Sequence, residues 1–163
     1  MQSVAIEMEL VGIELERPPN IPCLVLREAD GAGRILPIFI GGPEATAIAF
    51  ALEQVETPRP MTHDLMKDLL DELGAQVERV VVTELRESTF FAEIILRSGD
   101  EVHAVSARPS DAVALAVRTG APVFAEEDVL EVAGRAAEED VPEEVVEQFK
   151  EFIEQVNPED FAS

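Results

Sequence analysis

The sequence predicts an α+β domain: two similar three-strand-plus-helix units forming a mixed or antiparallel sheet packed by helices, with a C-terminal amphipathic helix beyond. Three observations predict it. Apolar residues at the start of the first half recur at a period of two, the signature of a half-buried strand. Each set of strand-like runs ends in an Ala-rich run with helical spacing. The two strand-to-helix joints also align, Ile38-Phe39-Ile40-Gly41-Gly42-Pro43-Glu44-Ala45 lying over Val105-Ser106-Ala107-Arg108-Pro109-Ser110-Asp111-Ala112 at a constant offset of 67.

Val4, Ile6, Met8 and Leu10 alternate with Glu7 and Glu9, which marks a strand. After Gly12 the apolar set becomes Val11, Ile13 and Leu15, so the phase flips and a bulge is expected at the glycine. Arg17-Pro18-Pro19-Asn20 ends this run, and 23–27 and 34–40 form two more strands around a loop containing Asp30-Gly31. Gly41-Gly42-Pro43 stops the third strand. Ala45, Ile48, Ala49 and Leu52 then recur as one helical face.

A second helix follows Arg59-Pro60, with Thr62 as the expected N-cap and Asp64 in the first turn. Its expected apolar stripe is Met66, Leu69, Leu70 and Leu73, and Gly74 is its stop. Residues 77–85, 90–97 and 102–107 read as strands joined by turns at 86–89 and 98–100. Arg108-Pro109-Ser110-Asp111 opens a helix with Ser110 as expected N-cap, and Gly120 closes it. The domain is expected to span 1–134, with 135–163 an acidic linker and a terminal helix. In that helix Val145, Phe149, Phe152, Ile153 and Val156 share one face, destined for the domain itself or for a second copy in a homo-oligomer.

Composition narrows the function. With 163 residues, 47% of them hydrophobic and 28% charged, the chain has the make-up of one globular domain. No run approaches the roughly 20 apolar residues of a membrane span, and the N-terminus has no basic-then-apolar leader pattern. A lone Cys23 agrees with a reducing cytoplasm. The net charge of −22 opposes non-specific adhesion to nucleic acid, and 126–163 alone holds fourteen acids against two bases.

No nucleophile elbow, phosphate-binding glycine loop or zinc cluster is present, which leaves carboxylates, two histidines and a few arginines. His63 and Asp64 are candidates for proton transfer and its orientation, although helix capping and a loop tether explain them as well. If the duplication brings the two helix starts together, Glu44 and Asp111 become facing carboxylates able to bind Mg²⁺ or Mn²⁺ or to activate water. Arg59, Arg108 and Ser110 would then contact phosphate. His103 reads as a surface or core histidine with no role.

The segments Leu36-Pro37-Ile38-Phe39-Ile40-Gly41, Glu44-Ala45, Arg59-Pro60-Met61-Thr62-His63-Asp64-Leu65 and Ala107-Arg108-Pro109-Ser110-Asp111-Ala112 together resemble the bifunctional nuclease domain family over roughly 3–132. The ending 147–161 is similar to that of actinobacterial members. The resemblance implies an α+β domain hydrolysing phosphodiester bonds of DNA and RNA, without an agreed catalytic set. The alternative is a non-catalytic binding or regulatory module that engages a protein or small anion.

Overall fold

In the computed structural model the described residues are 4–16 and 20–137. The terminal helix expected around Phe149 and Phe152, and most of the acidic linker, lie outside them.

Seven strands form one sheet: β1 (Ala5–Glu16), β2 (Ile21–Glu28), β3 (Ile35–Phe39), β4 (Gln76–Arg86), β5 (Thr89–Ser98), β6 (Glu101–Ala107) and β7 (Val123–Glu126). The helices are α1 (Gly42–Leu52), α2 (Thr62–Glu72), α3 (Pro109–Thr119) and α4 (Glu127–Ala133). The sheet order is β3-β2-β1-β7-β4-β5-β6. Every neighbouring pair is antiparallel except β4 with β7, which makes the sheet mixed. No described helix is long and apolar enough to cross a membrane.

The internal repeat is visible in the register. In β1 the pairing with β2 slips between Leu10 and Gly12, the bulge that the phase flip predicts. In β4 the pairing with β5 slips between Val77 and Arg79, the same two positions displaced by 67. Helix α1 spans 42–52 and α3 spans 109–119, again 67 apart at both ends. The units differ in their hairpins. Leu10 faces Leu26 and Val77 faces Leu96, so the β4–β5 hairpin is three residues longer than β1–β2. The β5–β6 hairpin is three residues shorter than β2–β3, which restores the offset.

Because β7 runs antiparallel to β1 and parallel to β4, the two meanders run outward from it in opposite senses. This order and these directions are those of a two-fold arrangement about β7, and helices of both halves join one core. There Leu24, Leu26, Leu36, Val80, Val82 and Ile94 meet Ile48 of α1, Val113 and Leu115 of α3, and Val129 and Leu130 of α4 in one core cluster. α3 packs between α1 and α2.

Some local expectations are corrected. The N-cap of α2 is Met61 and that of α3 is Arg108, one and two residues before the expected Thr62 and Ser110. Both helices start early because an acid at their third position serves the first turn and Pro109 fits the first helical position. The α2 stripe is only half inside: Met66 and Leu70 pack on the core, while Leu69 and Leu73 are exposed. His103 is exposed on the outermost strand, 3.3 Å from Glu101. β7 and α4 are additional to the elements expected from the sequence. Just past the expected boundary at 134, Arg135 forms an antiparallel bridge to Ile35 of β3.

Candidate active site

The site lies where the two equivalent helix starts meet. Gly41 and Arg108 adopt extended conformations as N-caps, and a proline follows in the first turn of each helix, so Glu44 and Asp111 occupy the same third helical position. An acid is favoured there by the partial positive charge of the helix start. A Cβ on Gly41 would run into the Glu44 carboxylate, so only glycine leaves that carboxylate room to lie over the turn.

Arg108 joins the two acids. Its Nη2 is 2.9 Å from Glu44 Oε1 and 2.9 Å from Asp111 Oδ2, and its Nε donates to Asp111 Oδ2 at 2.9 Å. On the other oxygen of Asp111, His63 Nε2 approaches Oδ1 at 2.9 Å from the first turn of α2. The result is a chain His63–Asp111–Arg108–Glu44 that runs from a buried imidazole to a guanidinium whose side chain is 63% exposed. It opens on a cavity of about 510 Å³ whose other walls include Pro43, Thr46, Ala47, Phe50, Met61 and Thr62.

Burial alone would raise the pKa of Asp111, but the hydrogen bonds from His63 and Arg108 outweigh it and hold the carboxyl below its ordinary value. An ionised Asp111 only accepts hydrogen bonds, so His63 Nε2 carries a proton and donates.

Asp64 does not orient His63. It accepts from the Met61 backbone N–H at 3.0 Å and from Arg118 Nε at 2.6 Å. Arg118 also donates to the carbonyls of Ala114 and Ala47, so one guanidinium ties α2, α3 and α1 together. Here too burial opposes ionisation, and the bonds from Arg118 and Met61 prevail, leaving the Asp64 pKa lowered. Sequence reasoning missed Arg118. Its only signal is a lone cation at the end of the apolar run Ala112-Val113-Ala114-Leu115-Ala116-Val117.

Of the other expected site residues, Ser110 is buried in the first turn of α3 and borders a second cavity on the far side of Arg108. Arg59 is exposed, its carbonyl accepting from Thr57, and it lines neither cavity. Glu44 and Asp111 do converge, but the space between them holds the Arg108 guanidinium. Among the described residues no group of three or more His, Cys, Asp or Glu is arranged to hold a metal. A resident Mg²⁺ or Mn²⁺ therefore does not fit this arrangement of donors.

The family model for the bifunctional nuclease domain matches residues 24–138. An uncharacterized protein of Mycobacterium tuberculosis is 47% identical over 163 residues, covering 95% of this chain and 97% of that one. Bifunctional nuclease 2 of Arabidopsis thaliana is 36% identical over 103 residues, 61% of this chain and 31% of the plant protein. Bifunctional nuclease 1 of the same plant is 33% identical over 105 residues, 63% of this chain and 32% of its own length.

Proposed function

The chain belongs to the bifunctional nuclease domain family, and on that premise we propose that it hydrolyses phosphodiester bonds of DNA and RNA in the cavity beside His63 and Asp111. The observation that carries this reading is the hydrogen-bonded chain from His63 to Arg108 at the cavity wall. With Nε2–H donated to Asp111, Nδ1 is the ring nitrogen that serves as general base. It takes a proton from water as the water oxygen bonds to phosphorus, and the leaving oxygen receives that proton as its P–O bond breaks. Asp111 fixes the tautomer and stabilises the transient imidazolium. Arg108 binds the phosphate oxygens through its Nη1, because its bonds to the carboxylates use Nε and Nη2. Glu44 and Asp111 hold that guanidinium in place. A cytoplasmic setting belongs to the same reading. It is supported by Cys23, a single free thiol, which agrees with a reducing compartment.

A second reading has one observation in its favour: Arg108 already neutralises both acids, which suits a module that binds a protein or small anion without cutting. End-labelled single-stranded DNA and RNA, incubated with Mg²⁺, Mn²⁺ or EDTA, separate the two. Wild-type protein is expected to cut both, and His63→Gln and Asp111→Asn to cut about 10²–10⁴-fold more slowly. Intact substrates under every condition would overturn the nuclease reading, and undiminished cutting by Asp111→Asn would move the site elsewhere. The EDTA arm reports whether an exchangeable cation takes part.

A further inference from the structure

Arg108 stands between two cavities and, among the described residues, it alone lines both. The second, of about 410 Å³, is bounded by the end of β3, the β4–β5 turn and the start of α3. Its wall includes Phe39, a large aromatic side chain left 55% exposed, and Phe90. Its polar side-chain groups besides Arg108 are the hydroxyls of Ser88, Thr89 and Ser110, and among the described residues no carboxylate lines it, although the chain carries 34 acids. Ser88, Thr89 and Phe90 come from the hairpin that is three residues longer than its counterpart in the first half.

We propose that this cavity receives the nucleobase next to the phosphate held by Arg108, stacked on Phe39, and that the substrate is therefore single-stranded. The inference rests on the nuclease reading above. An exposed aromatic face accepts any base, while neutral hydroxyls can meet base edges without repelling the adjoining phosphate. A base can reach Phe39 only after leaving its own stack, which a duplex resists and a single strand permits. The first cavity then takes the scissile linkage and the second its neighbour, with Arg108 at the phosphate between them.

The chain contains no tryptophan, so Phe39→Trp gives a single emitter at the proposed platform. Titrating it with a single-stranded oligonucleotide in EDTA should quench its fluorescence, and a duplex of the same sequence should not. In anisotropy with a labelled single strand, Phe39→Ala should bind roughly ten- to a hundredfold more weakly than wild type. Its thermal unfolding should be unchanged, because the ring is mostly outside the core. Wild-type cleavage with unquenched Phe39→Trp, or equal binding by Phe39→Ala, would overturn this subsite and leave the nuclease reading standing. A wild-type chain that neither cuts nor binds single strands would overturn both.

Discussion

Asp111 receives His63 on one oxygen and Arg108 on the other, so any change at this carboxylate disturbs both side chains, and with them the proposed proton transfer and phosphate binding. Gly41 offers a milder intervention. Gly41→Ala puts a methyl group against the far end of the Glu44 side chain, which can swing aside at little cost to folding. The expected outcome is near-normal thermal stability with weaker substrate binding, since Arg108 loses its second anchor. KM measured beside the unfolding midpoint checks it.

Arg118 is the opposite case. Its side chain is only 8% exposed and bonds to three helices. Arg118→Met should cost about 2–3 kcal/mol in denaturant unfolding, below the full penalty for a broken buried pair because Asp64 is 38% exposed. Asp64 and Asp111 both have lowered pKa values, so their contribution to stability is fully present above about pH 4 and is lost as the pH falls through their folded values. Asp64→Asn should therefore lie below wild type in melting temperature at neutral pH, with the gap closing in acid.

At this scale the convergence of Glu44 and Asp111 was legible, because a duplicated joint places duplicated acids alike. The partner of His63 was not. Whether it meets Asp64 or Asp111 depends on how α2 packs on α3, which no local pattern encodes, and neighbours on a helix point in different directions.

Among the elements, β1 was readable from its alternation, the other strands of the two meanders from apolar runs bounded by turn residues, and the bulge at Gly12 from the change of phase. β7 was not. Val123-Phe124-Ala125-Glu126 is four residues long and runs straight into α4 at Glu127, with no glycine or proline between them to mark a boundary. The exposed Leu65, Leu69 and Leu73 of α2 show the limit of periodicity, which finds an apolar face without saying whether anything covers it.

The domain boundary can be tested on the same scale. A chain ending after residue 137 keeps the Arg135–Ile35 bridge, and one ending after 134 loses it. We expect the longer truncation to stay soluble and unfold cooperatively, and the shorter one to melt at a lower temperature; calorimetry of the two chains decides.

For the whole molecule, a net charge of −22 on 163 residues means that the folded chain repels itself. Moving from about 0.01 M to about 1 M NaCl shortens the screening length from about 30 Å to about 3 Å. The melting temperature should rise over that range, and thermal scans across a salt series read it directly.

The position of β7 has a consequence for the order in which the molecule is made. The strand that separates the two meanders is synthesised after both of them, so while the chain emerges from a ribosome neither half has its partner's edge to join. The first half must wait as an open three-stranded sheet until residue 126 is out. Only then can the last short strand slide between β1 and β4, and the two helix starts that carry Glu44 and Asp111 settle against each other. Assembly of the pocket around Asp111 is thus a late event in the birth of the protein. Arrested nascent chains ending before β7 should be readily proteolysed, while chains long enough to expose it should resist.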